Sequence, residues 1–307
     1  MLTTLLSHLR ACGITVVIAA NTLFWGTPIH ILALIKLGAR SAEWKTTCTN
    51  GLIRLVIGWI RGVLWIQDRF LDITWDIRTT ATLSRKQWYL VSINHRSWAD
   101  IPVLLKALTD RVPFPVVFAK RQMYWVPIIG TALWALDYPI MKRFSRRYLA
   151  RHPEKRGIDM ETTRQSCRQY KFRPVAIWNF IEGTRFTPKK HHRQDSPFQH
   201  LLRPKAGGLA FAIQAMEGRI TRLLDVTIVY PQGITNFWSY LRGEVQQVSV
   251  HLREIAIPGS LLHGSYNNDP HYRETVKGWI THVWQEKDDL IEQLLKSPSA
   301  SLELRPD

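Results

Sequence analysis

The stretch WYLVSINHRSWAD, residues 88–100, decides the class of fold. Residues 88–93 are an apolar run rich in strand-forming residues, and a helical pattern over residues 98–108 begins within the polar part that follows. A strand that leads through a short polar loop into a helix is typical of α/β proteins. In such proteins, functional sites gather where strands end and helices begin. The stretch therefore predicts an α/β fold with a site at residues 94–100.

The chain after residue 70 repeats this alternation of strand and helix patterns. The predicted strands are 73–78, 88–93, 115–119, 138–141, 175–180, 226–230 and 248–252, and the predicted helices are 98–108, 123–136, 158–170, 204–216 and 270–295. Pro204 is expected in the first turn of its helix, where a missing N–H does no harm. The pattern predicts a mixed, largely parallel sheet flanked by helices.

The composition restricts the partners. The 307 residues carry 41 Lys and Arg against 24 Asp and Glu, a formal net charge of +17. This excess favours nucleic acid, an anionic membrane surface or phosphorylated substrates as partners. The 13 tryptophans, together with the basic residues, are typical of a membrane interface. Cys12, Cys48 and Cys167 have no metal-binding spacing and are expected as unpaired thiols in a reducing compartment.

The first 70 residues are predicted to form a membrane anchor. No charged residue interrupts residues 11–35, a stretch long enough to cross a bilayer. Asn21, Gly26, Pro28 and His30 weaken this apolar stretch, so a kinked or re-entrant helix is the alternative to a spanning one. A cleaved signal peptide is the competing interpretation, but the apolar stretch runs well past the poor cleavage site at 18–20, which favours retention. Arg54 and Arg61 interrupt the apolar residues 51–66, which predicts a helix lying in the membrane interface.

The basic residues around the apolar helix predict its orientation. Five follow it against Arg10 before it, namely Lys36, Arg40, Lys45, Arg54 and Arg61. By the positive-inside rule the large C-terminal part then lies in the cytoplasm. We therefore expect an anchor at residues 1–70, a cytoplasmic domain at 71–297 and a disordered tail at 298–307.

The polar stretch NHRSWAD, residues 94–100, has two interpretations. Ser97 and Asp100 have the spacing of a capping box, with Ser97 as N-cap, and His95 is then an incidental loop residue. Alternatively, the turn brings Asp100 to His95. The carboxylate then holds one imidazole N–H and leaves the other nitrogen free to accept a proton from a hydroxyl group.

A second polar stretch, NFIEGTRFT at residues 179–187, also follows a predicted strand. It offers the carboxylate of Glu182, the flexible Gly183 with its backbone N–H, the hydroxyl of Thr184 and the guanidinium of Arg185. Arg185 suits bidentate binding of a phosphate, and the loop amides suit an anion. A surface turn is the simpler interpretation of this stretch alone. Two such stretches, each at a strand end, point to a site.

These motifs resemble those of the lysophospholipid acyltransferases, the family of 1-acylglycerol-3-phosphate acyltransferases, and within it a bacterial inner-membrane branch. The matching residues are Asn94, His95, Ser97, Trp98 and Asp100 in the first block; Lys120, Pro127, Gly130 and Arg143 in the second; Phe180, Glu182, Gly183, Thr184 and Arg185 in the third; Pro231 in the fourth; and Lys205 with Gly207 before a helix. The blocks span residues 90–231 in the family's order.

The resemblance implies an O-acyltransferase that uses neither a cofactor nor a metal and forms no covalent intermediate. It implies that His95 is the general base and that Asp100 fixes its tautomer. Arg185, Lys120 and Arg143 are expected at the acceptor's phosphate, and Glu182 at an acceptor hydroxyl or an arginine. Amides around Gly183 are candidates for stabilising the oxyanion.

The remaining matched residues are expected in binding or supporting roles, namely Asn94, Ser97, Trp98, Thr184, Lys205 and Pro231. His191, His192 and His200 are expected in a basic loop without a convincing ligand set.

The implied partners are acyl-CoA or acyl carrier protein as donor, a lysophospholipid as acceptor, and anionic lipids of the bacterial inner membrane. A membrane-tethered nucleic-acid-binding protein is the rival interpretation from a different class, but the chain has no helix-turn-helix, zinc spacing or RNA-recognition motif. We therefore expect no nucleic acid. A non-catalytic scaffold with the same fold is a further interpretation, as is an acyltransferase that acts on glycerol 3-phosphate or a lipid A precursor.

Overall fold

A computed structural model describes residues 2–120, 125, 129–141, 151, 165, 167, 170, 173–266 and 268–296. Most of the predicted helix 158–170, the predicted tail 298–307 and Arg143 lie outside the described residues.

Helices and strands alternate along most of the described chain. The helices are α1 (Leu2–Gly38), α2 (Ala42–Phe70), α3 (Asp100–Leu108), α4 (Ile129–Ala135), α5 (Pro188–Gln194), α6 (Ala206–Ala215), α7 (Phe237–Leu241), α8 (Gly259–Leu262) and α9 (Pro270–Lys296). The strands are β1 (Thr74–Thr79), β2 (Tyr89–Ile93), β3 (Pro115–Val117), β4 (Ala119–Lys120), β5 (Ile140–Met141), β6 (Ala176–Phe180), β7 (Arg222–Val229) and β8 (Gln247–Ala256).

Six strands form the main sheet in the order β1-β8-β7-β2-β6-β3. All neighbours are parallel except β7 and β8, so the predicted mixed, largely parallel sheet is confirmed. In the centre, Ile93 of β2 is opposite Phe180 of β6 and Val226 of β7. The loops that follow β2 and β6 therefore leave the sheet at the same edge. Strands β4 and β5 form a separate parallel pair.

Helices cover both faces of the sheet, as predicted. One apolar cluster joins the sheet to α1, α2 and α3, and a second joins it to α6 and α9. All five residues of β2 are buried, which explains why its sequence is a continuous apolar run rather than an alternating one.

Two of the boundaries that differ from the sequence prediction have a clear physical cause. Strand β7 begins at Arg222 rather than at residue 226, because its long antiparallel ladder with β8 extends to Ala256. Helix α6 begins at Ala206, so the prediction that Pro204 lies in its first turn is wrong. The Lys205 N–H donates to the Ile181 carbonyl at 2.9 Å, which holds residue 205 outside the helix.

The predicted basic loop at residues 191–192 is also wrong, since both histidines lie in α5. This helix begins with the Thr187 side chain as its N-cap and Pro188 in its first turn. Thr187 and Pro188 are sequence signals for the start of a helix, so this helix could have been predicted from the sequence.

Helices α1 and α2 pack side by side in antiparallel directions. A Cβ added to Gly58 would lie 2.3 Å from the Trp25 ring, and one added to Gly62 would lie 2.0 Å from Asn21 Oδ1. Small residues spaced by four allow this close approach. Both helices are long and apolar enough to cross a membrane, by length and composition alone.

Candidate active site

Asn94 begins the site by extending the ladder between β2 and β7 with its side chain. Its amide donates to the Ile228 carbonyl at 2.9 Å and accepts from the Ile228 N–H at 2.8 Å. Asn94 is fully buried, so these two bonds replace lost hydration. They fix the point at which the chain leaves the sheet, directly before His95.

His95 and Asp100 face each other across the loop. His95 Nδ1 lies 2.7 Å from Asp100 Oδ2, and the Phe180 ring packs on the imidazole at 4.2 Å between centroids. A carboxylate only accepts hydrogen bonds, so Nδ1 is the donor and Nε2 of the neutral ring is left as an acceptor. The His95 side chain is 13% exposed.

Asp100 is fully buried and receives hydrogen bonds on both oxygens. Its Oδ2 also accepts from the backbone N–H groups of Arg96 at 2.7 Å and Ser97 at 3.0 Å, and its Oδ1 accepts from the Tyr230 hydroxyl at 2.7 Å. A buried charge requires such a set of donors. Burial and the negative charge of Asp100 raise the pKa of Tyr230 far above its usual value, so its hydroxyl remains a donor.

The prediction that Ser97 is the N-cap is wrong, because α3 begins at Asp100 with Ala99 in the N-cap position. The Ser97 hydroxyl instead accepts from the Ala99 N–H at 3.3 Å. The Asp100 carboxylate holds the loop amides and His95 at once.

Glu182 points inward, away from solvent. It is fully buried, and its Oε1 accepts from the His95 backbone N–H at 3.2 Å. Burial raises its pKa to about 8, while the His95 N–H and the positive charges of Arg96 and Lys287 oppose this rise. The predicted contact with an acceptor hydroxyl does not fit this burial. Glu182 instead supports the His95 loop and faces the Arg96 guanidinium.

Gly183 forms the turn of the second motif with a φ of +68°. Its N–H donates to the Phe180 carbonyl at 2.8 Å, which removes this amide from the predicted oxyanion donors. A Cβ here would lie 3.0 Å from Lys205 Nζ, so the turn requires glycine for its conformation and has the lysine beside it.

Arg185 and Trp98 lie beside His95 on the exposed side of the site. The Arg185 guanidinium lies 5.3 Å from the centre of the Trp98 ring, and that ring lies edge-on to His95 at 6.5 Å. Thr184 Oγ1 accepts from Lys190 Nζ at 2.7 Å, and the same ammonium donates to the Arg185 carbonyl at 2.9 Å. Positive charge is thus concentrated next to the imidazole.

Two contributors were not predicted from the sequence, Tyr230 and Lys190. Tyr230 follows β7 directly and is the first residue of the YP pair, whose second residue is Pro231, so the predicted fourth block lay next to it. Lys120 lies in β4, just beyond β3 at the same edge of the sheet, and Arg143 lies outside the described residues.

The histidines and cysteines outside the site have other surroundings. His191 Nε2 lies 2.6 Å from the Phe198 carbonyl, and His200 Nε2 lies 2.6 Å from Glu292. Among the described residues, no group of three or more His, Cys, Asp or Glu side chains is arranged to hold a metal ion. Burial raises the pKa of the Cys167 thiol to about 12, so it is not a nucleophilic thiolate.

A histidine–carboxylate pair at one strand end, with a basic turn at the neighbouring strand end, suits proton transfer beside a bound anion. The family model described as Acyltransferase matches residues 75–234, just over half of the chain. The chain belongs to the Acyltransferase family.

The chain is similar to 1-acyl-sn-glycerol-3-phosphate acyltransferase gamma of Mus musculus, at 26% identity over 188 residues, covering 57% of this chain and 44% of that protein. It is also similar to 1-acyl-sn-glycerol-3-phosphate acyltransferase 2 of Arabidopsis thaliana, at 22% identity over 248 residues, covering 75% of this chain and 59% of that one. The chain thus spans about half the length of these relatives.

The crystal structure of the 1-acyl-sn-glycerophosphate acyltransferase PlsC from Thermotoga maritima has the same fold. The TM-score is 0.54 at 15% sequence identity, with 94% of this chain and 95% of that chain covered.

Proposed function

We propose that this protein is a membrane-bound O-acyltransferase that moves a fatty acyl group from a thioester to the free hydroxyl of a lysophospholipid. The proposed acceptor is 1-acylglycerol 3-phosphate, which gives phosphatidic acid. The single observation that carries the proposal is the 2.7 Å contact between His95 Nδ1 and Asp100, which leaves Nε2 as a proton acceptor. Membership of the Acyltransferase family and the names of the relatives support the choice of reaction and acceptor.

In the proposed reaction, His95 Nε2 removes the proton from the acceptor hydroxyl as its oxygen attacks the thioester carbonyl. The carbon–sulfur bond then breaks, and the departing sulfur takes the proton from the imidazolium. Asp100 stabilises the imidazolium between these steps and fixes the ring orientation. A positioned base of this kind contributes about 10²–10⁴-fold in rate. The raised pKa of Cys167 fits a mechanism without an acyl-cysteine.

The acceptor's phosphate is proposed to bind at the basic turn after β6. Arg185 is exposed beside Trp98, and Lys205 lies against Gly183. A guanidinium binds phosphate through two parallel hydrogen bonds, and an ammonium adds a point charge. Lys120 and Arg143 are proposed as further contacts.

We propose that α1 and α2 enter one leaflet of the membrane rather than crossing it. Near one end of α1, His8 Nδ1 accepts from the Trp238 indole at 3.1 Å; near the other, Lys36 Nζ donates to the Ala135 carbonyl at 2.6 Å and pairs with Asp137. These contacts are separated by about 40 Å of helix, at 1.5 Å per residue. A spanning helix would place one of them beyond a hydrocarbon core about 30 Å thick.

The exposed side of α1 supports this membrane contact. Its large apolar residues include Leu2, Leu5, Leu6, Leu9, Val16, Leu23, Phe24, Ile31, Leu34 and Leu37. An apolar surface of this extent is typical of membrane contact. The net charge of +17 favours anionic lipids and a phosphorylated donor. We propose the cytoplasmic face of the bacterial inner membrane as the location, with acyl-CoA or acyl carrier protein as donor.

The test is acyl transfer by the purified full chain in vesicles of mixed zwitterionic and anionic lipid. Radiolabelled acyl-CoA and acyl carrier protein are each supplied with 1-acylglycerol 3-phosphate, with glycerol 3-phosphate or with a lysolipid that has a zwitterionic head group. We expect labelled phosphatidic acid to form fastest. Faster labelling of either other acceptor would refute the proposed head group. No labelling with either donor would refute the proposed reaction.

A further inference from the structure

The C-terminal helix α9 presents one face to the back of the candidate site, although it lies outside the part of the chain that the family model matches. Trp284, Lys287 and Asp288 are spaced by three and four residues and therefore share this face. The Trp284 indole donates to the Leu202 carbonyl at 2.9 Å. Asp288 accepts from the backbone N–H groups of Gln199 at 2.6 Å and His200 at 2.8 Å.

Residues 199–202, which α9 holds through these hydrogen bonds, in turn contact the candidate site. The His200 carbonyl accepts from the Arg96 guanidinium at 3.2 Å, and the Leu202 N–H lies against the Glu182 carboxyl group. The helix thus lies directly behind both polar loops of the site.

Lys287 is fully buried and is the centre of this face. Its Nζ donates to the carbonyl of Val226 in β7 at 2.6 Å and to that of Ser92 in β2 at 3.3 Å, and it lies 3.0 Å from Asp225 Oδ1. The ammonium thus donates two hydrogen bonds to strand carbonyls and forms an ion pair with the Asp225 carboxylate. It therefore joins β2 and β7 close to their carboxyl ends. Asn94 and His95 follow β2, and Tyr230 follows β7.

Stability alone does not account for a buried lysine here. A buried ion pair is often replaced by apolar residues of the same volume with no loss of stability. Burial lowers the pKa of Lys287, while the charges of Asp225 and Glu182 oppose that change. Asp225 also has Arg253 at 3.2 Å, and Arg253 pairs with Glu286 at 2.8 Å. What Lys287 adds is the contact with two strand carbonyls, which an apolar side chain cannot make.

We propose that Lys287 is a positioning residue for acyl transfer. By joining β2 to β7, it sets the distance between the loop that carries His95 and the residue after β7, Tyr230. His95 and Tyr230 contact the two oxygens of the Asp100 carboxylate. This inference rests on the proposed function of the His95–Asp100 pair. The carbonyls that Lys287 contacts belong to β2 and β7, whereas the basic turn at Arg185 follows β6, so Lys287 acts on turnover rather than on binding of the acceptor.

The test compares the steady-state kinetics of three variants with those of the wild type. Lys287→Met keeps an unbranched side chain, one heavy atom shorter, and removes the ammonium. We expect kcat to fall about 10–100-fold, the usual effect of a small misplacement of reacting groups, with KM for the lysolipid unchanged. Lys277→Met is the matched control on the same helix, where an exposed lysine pairs with Glu274 in the adjacent turn. It should leave both constants at the wild-type level.

The double variant Lys287→Met with Asp225→Asn separates positioning from charge balance. It removes both charges and should regain the thermal stability that the single variant loses, while kcat stays low. Recovery of kcat together with stability would overturn the proposal, as would an unchanged kcat in the single variant. Where the single variant does not fold, the double variant carries the test.

A second readout does not depend on activity. In protein labelled with ¹⁵N-histidine, the His95 signals, assigned by loss in His95→Gln, should show the Nδ1–H tautomer in the wild type and a mixture of tautomers in the double variant. Identical signals would refute positioning by Lys287. If the wild type transfers no acyl group, the proposed function fails, and this spectrum alone decides the role of Lys287.

Discussion

Tyr230→Phe removes one hydroxyl group from the candidate site and leaves the ring in place. The hydroxyl donates to Asp100 Oδ1 at 2.7 Å, and both side chains are buried. The other oxygen, Oδ2, keeps its three donors, so Asp100 remains charged but loses the contact that fixes its rotation. We expect the imidazole to lose its fixed orientation as a result.

The expected loss of stability follows from the charge on the Asp100 carboxylate, which accepts the Tyr230 hydrogen bond. A hydrogen bond to a charged group contributes about 1.5–3 kcal/mol, and one between neutral groups about 0.5–1.5 kcal/mol. Tyr240→Phe is a matched control, because that buried hydroxyl donates at 2.7 Å to the neutral amide of Gln67. With about 2 °C lost per kcal/mol in a chain of this size, Tm should fall by roughly 3–6 °C for Tyr230→Phe and by 1–3 °C for Tyr240→Phe.

The assay is acyl transfer to 1-acylglycerol 3-phosphate at saturating substrate, together with thermal unfolding. We expect kcat to fall about 10-fold in Tyr230→Phe, equivalent to about 1.4 kcal/mol in the barrier, and to stay unchanged in Tyr240→Phe. Equal activity in the two variants would refute the view that Tyr230 orients Asp100. Equal losses of Tm would show that the Asp100 contact is worth no more than a neutral bond.

Three further changes test other parts of the structure. Burial raises the pKa of Glu182 from 4.5 to about 8, so the wild type loses stability as the pH rises through that range. Because the side chain of Glu182→Gln cannot titrate, the Tm of this variant relative to that of the wild type should rise between about pH 5 and pH 9. A pH-independent difference would contradict this. Gly183→Ala places a side chain at φ +68° and should lower stability by about 1–2 kcal/mol in urea unfolding; no loss would show that the turn relaxes. Gly58→Ala places a Cβ against the Trp25 ring and should lower the free energy of unfolding by about 1–3 kcal/mol. Gly13→Ala, in the same helix pair but with open space around it, should be neutral or stabilising. Equal effects of the two substitutions on stability would refute the close pairing of α1 and α2.

Local patterns predicted the fold well, because most elements are decided within a few residues of sequence. The buried run of β2 and the helix after it are examples, and so is α9, predicted to within one residue of its end. The start of β7 was missed because it contains Asp225, a charged residue that does not look like part of a central strand. Asp225 is buried only because Lys287 and Arg253 reach it from distant parts of the chain.

The candidate site shows the same difference between contacts decided by local sequence and contacts decided by distant parts of the chain. His95 and Asp100 are five residues apart, so a turn in the sequence was enough to give their contact as one of two interpretations. Tyr230 reaches Asp100 from a strand that is 130 residues away in sequence, and its place depends on the order of strands in the sheet. The inward orientation of Glu182 also depends on packing, since its sequence has the character of an exposed turn.

The most direct test of the central claim is the rate of phosphatidic acid formation by His95→Ala, with protein level and Tm measured in the same membranes. His192→Ala, an exposed histidine in α5, is the matched control. We predict that the control keeps the wild-type rate and that His95→Ala falls by about 10²–10⁴-fold, the usual contribution of a positioned base. A folded His95→Ala protein that works at the rate of the control would contradict general-base catalysis by His95.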